Sequence, residues 1–245
     1  RVTVVGTENV TSLEVKNIIT SDQTITTAPC PKLQWLEWVG KTLSDETLPC
    51  PISDVTTLSA VTVTVNQIDP HFRFPPELSS LKLEVRDGSV NAAFLTPLTR
   101  LESLEMNVNA TKDPLDLSGL TNLTVLTAKE SPITGLPTSL VECAVSLWRN
   151  ADISSLTNLT ALTVVRADEK VTFPTQLKTL NFARADLLKT NISNVALESF
   201  SGGPDFRMDF FTMTFLPNTL KRLDVIFWHP PRKEELSKYF PLLQQ

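Results

Sequence analysis

Histidine is almost missing from the 245 residues: only two are present. His71 sits between Pro70 and Phe72, and His229 precedes two prolines. Neither lies at a metal-ligating spacing from a partner, and no nucleophile-elbow or phosphate-loop phrase occurs, so the common sequence marks of catalysis are absent. Asp205 and Asp209 flank aromatics and read either as a carboxylate pair or as turn and cap residues. The expectation is a protein that is not an enzyme and needs no cofactor. There is also no lysine or arginine block. The formal net charge is -5, which argues against a general grip on nucleic acid. No apolar run approaches the roughly 18 residues of a membrane-spanning helix. The chain begins at Arg1 rather than methionine, as a processed or excised product would, and a removed signal peptide would leave no trace.

Glycine is scarce too. Seven glycines accompany seventeen prolines and much Thr, Val and Leu, a balance that favours short strands joined by proline-bearing turns over a helical bundle. What the chain does have is a repeated phrase. Leu120-Thr-Asn-Leu-Thr-Val-Leu126 and Leu156-Thr-Asn-Leu-Thr-Ala-Leu162 are near twins. In each, leucines fall three apart and the pattern then switches to every second residue. The first step fits a tight turn and the second a strand with one buried face.

That Leu-x-x-Leu-x-Leu phrase recurs as Val10/Leu13/Val15, Leu33/Leu36/Trp38, Leu58/Val61/Val63, Leu78/Leu81/Leu83, Leu101/Leu104/Met106 and Leu123/Leu126/Ala128. It continues as Leu140/Cys143/Val145, Leu159/Leu162/Val164, Leu177/Leu180/Phe182, Leu197/Phe200/Gly202 and Leu220/Leu223/Val225, at spacings of 17 to 25 residues. The run extends fully to an asparagine and a further apolar residue at Asn66-x-Ile68, and Asn109 holds the matching place after Met106. Units opened by Pro76, Pro137, Pro174 and Pro217 mix with Leu-Thr units, and from Leu140 onward the two kinds alternate. Most units are too short for a full helix between strands, so extended or 3₁₀ segments are expected there. Residues 1–29 read as a strand-rich N-terminal cap with the first repeat, 30–228 as repeats, and 229–245 as a C-terminal cap. In that last segment Arg232–Phe240 predicts a short helix stopping at Pro241. All 245 residues then form one domain.

On these eleven triplets the chain resembles the leucine-rich-repeat superfamily. The two twin phrases look like the short repeats of bacterial internalin-type surface proteins, and proline-opened units such as Pro174-Thr-Gln-Leu-Lys-Thr-Leu-Asn-Phe182 look more like protist repeats. The resemblance implies an α/β solenoid, mostly β: curved, with a parallel sheet on its concave face and a role in binding a protein partner. A rival architecture, a parallel β-helix acting on polysaccharide, requires about three strand-like runs per coil, whereas most coils here show one.

Strand alternation turns the residues between and just after the buried triplet to the concave face. Its candidates for binding a protein are Trp35, Glu37, Lys82, Glu105, Lys129, Arg166, Arg184 and Asp224. A merely solvated sheet face has the same composition. Trp148 lies just beyond the strand of a middle coil. Phe206, Phe210, Phe211, Phe215, Phe227 and Trp228 gather near the C terminus, as core filler or as an exposed hot spot. Three cysteines are present. Cys30 and Cys50 stand about one repeat apart; coils stacked at roughly 4.8 Å bring them within the Cα range of a disulfide, while the plain alternative is two small buried residues. Cys143 replaces a repeat leucine and reads as a buried thiol. Asn-x-Ser/Thr sequons at Asn9, Asn109, Asn122, Asn158 and Asn191 are candidate glycosylation sites if the protein is secreted from a eukaryotic cell. The functional expectation is a secreted or cell-surface recognition module without a transmembrane segment in this chain. The alternative is an intracellular adaptor domain with free thiols.

Overall fold

Leucines that alternate with polar residues over four or five positions fold as strands here, because each strand buries its alternate side chains against those of its neighbours. The computed structural model describes residues 2–4, 9–18, 25–27, 30–43, 52, 55–86, 92–108, 114–129, 133–148, 153–167, 172–184, 192–205, 207–208, 214–227 and 229–243. At Lys129, Arg166 and Arg184 it describes the backbone alone. The chain divides into two compact units, Arg1–Pro137 and Thr138–Gln245.

The first unit runs β1 (Val2–Val4), β2 (Ser12–Ile18), β3 (Ile25–Thr27), β4 (Trp35–Gly40), β5 (Thr42–Leu43), β6 (Ala60–Val65), β7 (Gln67–Ile68) and β8 (Ser80–Val85). A 3₁₀ turn at Ala92–Phe94 follows, then β9 (Ser103–Val108), β10 (Leu115–Asp116), β11 (Val125–Lys129) and β12 (Ile133–Thr134). Strands β2, β4, β6, β8, β9 and β11 lie side by side in chain order, all parallel. Their register matches leucine to leucine: Leu13, Leu36, Val61, Leu81, Leu104 and Leu126 stand opposite one another. Short outer pairs, β5 with β7 and β10 with β12, form where each chain turns after its strand. In the cap, β1 pairs with β3 in parallel, at the residues whose alternation predicts strands.

The second unit holds β13 (Glu142–Trp148), β14 (Ala161–Ala167), β15 (Thr179–Arg184), β16 (Ser199–Asp205), β17 (Arg207–Met208), β18 (Arg222–Asp224), β19 (Ile226–Phe227) and a helix, α1 (Lys233–Tyr239). Here Cys143, Leu162, Leu180, Phe200 and Leu223 stand in line, again in parallel register. The molecule is a parallel β-solenoid of the leucine-rich-repeat kind with one short C-terminal helix among the described residues.

The segments that lead into the strands are built from successive tight turns. Leu98 N–H donates to Leu95 C=O at 2.9 Å, and Leu101 N–H to Leu98 C=O at 3.0 Å. Leu120/Leu117, Leu123/Leu120, Leu156/Ile153 and Leu159/Leu156 repeat the pattern. Three-residue turns bring every third side chain to one side, so Ile153, Leu156 and Leu159 are all buried ahead of the strand. This is the physical content of the three-spaced leucines. Each fully buried leucine contributes about 1.5–3 kcal/mol of transfer free energy, and the inner coils each supply several.

The array is least sealed at its ends. Leu13 and Val15 in the first coil, and Leu223 and Val225 in the last, are half-buried, while the corresponding residues of the inner coils are buried except for Gly202. Helix α1 buries none of its own residues; Phe240, just past its end, does become buried. Trp38 shows how tightly the inner column is filled. Its indole lies so close to Gly40 that a Cβ there would stand 2.9 Å from Nε1, which makes this glycine a matter of space. The Trp38 N–H finds no acceptor among the described residues.

Candidate protein-binding face

Because inward and outward residues alternate, the register of the buried columns also sets the outward rows. In the first unit the central outward row is Glu14, Glu37, Thr62, Lys82, Glu105 and Thr127. In the second it is Ala144, Thr163, Asn181, Ser201 and Asp224. All are half-buried or exposed. Lys82 and Glu105 face each other across β8 and β9, and the structure joins them as an ion pair of 2.9 Å with both side chains about half exposed, at 53% and 43%. Such a pair adds little stability and fixes a local charge pattern. Further along β8, Glu84 holds Arg86 at 3.1 Å. In the second unit Asn181 donates its amide to Thr163 Oγ1 at 3.2 Å.

Trp35 occupies the row before the central one, where its partners are Ser12 on one side and Ala60 on the other. Ser80 and Ser103 continue that row. A half-buried indole thus rises among short side chains. Lys82 lies two strands away and two residues further along, about 12 Å at ordinary strand spacing and rise.

The remaining candidates are placed by backbone register. Lys129 follows the buried Ala128 by one residue and pairs with Asn107. Arg166 and Arg184 follow Val164 and Phe182 by two residues, and pair with Leu147 and Asp205. The arginines therefore stand one step further along their strands than Lys129 does. Asp224 ends β18 and is exposed.

A second set of polar residues, invisible to the sequence reading, links coil to coil. Asn122 Nδ2 donates to Thr99 C=O at 2.7 Å and Asn158 Nδ2 to Thr138 C=O at 3.1 Å. Gln176 Nε2 reaches Leu156 C=O at 2.9 Å, and the hydroxyls of Thr57 and Thr219 reach Leu33 and Leu197 C=O, each at 2.7 Å. All five sit immediately before the first leucine of a triplet. Two residues later a second ladder runs from Ser59 to Gln34, Ser79 to Ser59, Thr124 to Glu102 and Thr160 to Val141, hydroxyl to carbonyl in each case. The available signal was the recurrence of Asn, Gln or Thr at one phrase position.

Among the described residues three groups have displaced acidities. Lys221 pairs with Glu198 at 2.9 Å; that hydrogen bond first, then its charge, with a smaller push from Lys178, holds the Glu198 carboxyl below its usual range against a small burial effect. Asp116 is lowered by the Ser118 backbone N–H at 3.0 Å and then by the Ser118 hydroxyl. Burial pushes the Cys143 thiol up to about 12.

Other sequence candidates separate. Cys30 is buried, while Cys50 lies outside the described residues, as do Asn109, Asn191, Asp209, Phe206, Phe210, Phe211 and Trp228. The side chains of Asp205 and Trp148 are outside them too. Asn9, Asn122 and Asn158 are exposed. Phe215 is half-buried, and Phe227 lines a cleft of about 520 Å³ beside α1. His71 and His229 are exposed, and the His71 N–H donates to Asp69 Oδ1 at 2.7 Å, a turn contact. Among the described residues each coil contributes one strand to the main sheet of its unit, with only two- or three-residue pairs elsewhere, which is the leucine-rich-repeat arrangement and not the three-sheeted β-helix. No helix among the described residues is long and apolar enough to cross a membrane.

No protein-family model matches the chain. No curated protein matches it in sequence. Solved structures do. The circular leucine-rich-repeat protein CroV588 matches with a TM-score of 0.52 at 19% identity, over 83% of this chain and 35% of that one. The chain thus spans about a third of that protein's length. An internalin, InlF, of Listeria monocytogenes matches with a TM-score of 0.48 at 18% identity, over 88% of this chain and 74% of the other. A leucine-rich-repeat protein of Leptospira interrogans gives 0.46 and 16%, over 97% and 72%. At these identities the likeness is one of fold, and the fold of this chain is the leucine-rich-repeat solenoid.

Proposed function

We propose that the protein is a non-catalytic recognition module, a single domain over 1–245, that holds a partner protein against the outward face of its sheet. One observation carries the reading. Coil register leaves Trp35 standing among Ser12, Ala60, Ser80 and Ser103, in the same sheet as the exposed Lys82–Glu105 pair. Short side chains let a partner approach closely, and a tryptophan with one accessible face is the residue type that most often dominates an interface. Glu37 extends this patch on β4, and Lys129, Arg166, Arg184 and Asp224 are the further candidates on β11, β14, β15 and β18. The negative net charge favours a protein partner over nucleic acid. A secreted or cell-surface location is part of the proposal; exposed Asn9 and the Cys30/Cys50 spacing support it.

The test begins with capture of a partner from surface proteins of the source cell, followed by affinity measurement on purified components. Trp35→Ala is expected to weaken binding at least tenfold with little change in melting temperature. Exchanging the pair as Lys82→Glu with Glu105→Lys keeps the ion pair and reverses the charge pattern, so it isolates recognition from stability. Unchanged affinity in both variants sinks the proposed face.

A further inference from the structure

Among the described residues the last coil leaves an open cleft, and the charged side chains that line it are of one sign. Leu223, Phe227, Leu236 and Phe240 form apolar walls of the cleft of about 520 Å³ between β18–β19 and α1. Leu223, Phe227 and Leu236 are half-buried, whereas Leu162, Leu180 and Phe200, which share the column of Leu223, are buried. Ile226 and Leu242, close by in sequence, are the large apolar residues most exposed among those described, at 45% and 54%. Lys221, Arg222 and Lys233 supply the charges of the lining, and no carboxylate is among the described residues that line it. Glu198 takes one of these charges, Lys221, at 2.9 Å, and Glu235 accepts the Arg232 N–H at 2.8 Å, while Asp224 and Glu234, next to the lining in sequence, are exposed and not part of it. An apolar cleft of this size with charge of a single sign suits a small ligand that is apolar along its body and anionic at one end.

We propose that this cleft binds a single-tailed anionic amphiphile, a long-chain carboxylate, its tail between the last coil and α1 and its head at Arg222 and Lys233. The site shares no residue with the Trp35 patch that carries the reading above, and stands or falls independently of it.

The probe is sodium dodecanoate below its micellar concentration, titrated calorimetrically into the whole 245-residue chain. Saturable one-to-one binding is expected, with dodecyltrimethylammonium at least tenfold weaker. Arg222→Glu and Lys41→Glu carry the same net charge at exposed positions; the first should weaken dodecanoate at least tenfold and the second leave it unchanged. Ser237→Trp, at an exposed helix position on the cleft, should abolish binding by filling it, with circular dichroism confirming the fold. Four outcomes overturn the proposal: no saturable binding, equal losses in the two charge variants, equal affinity for the cationic surfactant, or full affinity in Ser237→Trp. An acidic leucine-rich peptide that saturates the cleft where dodecanoate fails would assign it to a protein segment instead.

Discussion

Replacing Asn158 isolates the coil-to-coil ladder. Its amide donates to Thr138 C=O at 3.1 Å, bridging coils 20 residues apart in sequence. Asn158 and Thr138 are both exposed, so on deletion water takes over the carbonyl. A neutral hydrogen bond contributes about 0.5–1.5 kcal/mol net, and an exposed one belongs at the lower end, so Asn158→Ala should cost about 0.5–1 kcal/mol. Two further variants separate the bond from the side chain's bulk. Asn158→Asp keeps the shape but sets a carboxylate against a carbonyl oxygen, so at neutral pH it should cost at least as much as alanine. Asn158→Gln keeps the donor, and from the same phrase position Gln176 reaches a carbonyl of the preceding coil, that of Leu156, at 2.9 Å, so it should recover most of the loss. Asn122→Ala removes a different rung in the other unit, with Thr99 as acceptor at 2.7 Å, and the two losses should add. Urea unfolding followed by circular dichroism measures these differences as shifts in midpoint at constant m-value. Arrays of repeats can lose two-state behaviour, so amide exchange at Leu159 and Leu177 gives a local readout. If alanine, aspartate and glutamine cost the same, the hydrogen bond is not what Asn158 contributes.

Two more perturbations probe special environments. Gly135 has φ of +63°, and a Cβ there would run into the Asp116 carboxylate, which Ser118 holds in place. Gly135→Ala should therefore cost about 1–3 kcal/mol, less in an Asp116→Ala background, and an equal cost in both backgrounds would refute the clash. Cys143 is buried with its thiol raised to about 12, so roughly one molecule in ten thousand carries the thiolate at pH 8. Iodoacetamide should spare it in the folded chain and label it on unfolding, and prompt native labelling located by mass spectrometry would refute the burial. Because the folded value lies above the ordinary one of 9.0, its stabilising effect is complete below about pH 9 and is lost as pH rises through about 12.

The buried half of the fold was legible because it is written in strict columns. A leucine that must meet a leucine in the next coil recurs at every coil, and Leu36, Val61, Leu81 and Leu104 stand opposite one another as their phrases predict. The C-terminal helix was legible from its flanking prolines and apolar spacing, and α1 begins and ends within a residue or two of the expected Arg232–Phe240. The outward face was legible in register: Trp35 and Glu37 flank the buried Leu36, and Lys82 meets Glu105. Which outward residues pair was less legible, because a cross-strand contact depends on the neighbouring coil and not on the residue's own phrase. The ladder was hard to read for the same reason: Thr57 and Leu33 are 24 residues apart, and only the recurrence of a donor at one phrase position marks the bond.

That ladder changes the weight of one sequence signal. In Asn122-Leu123-Thr124 and Asn158-Leu159-Thr160 the amide donates from the position before the leucine, and the threonine hydroxyl donates from the position after it. Thr57-Leu58-Ser59 makes both bonds at the corresponding positions with no asparagine at all. A donor, a buried leucine and a hydroxyl are what stacking one coil on the next requires, and Asn-Leu-Thr is one way to meet that requirement. It has the form of a glycosylation sequon whether or not the chain ever meets a glycosylating enzyme. Selection for coil stacking alone therefore accounts for Asn122 and Asn158. Of the five sequons, only Asn9, Asn109 and Asn191 bear on where the protein resides.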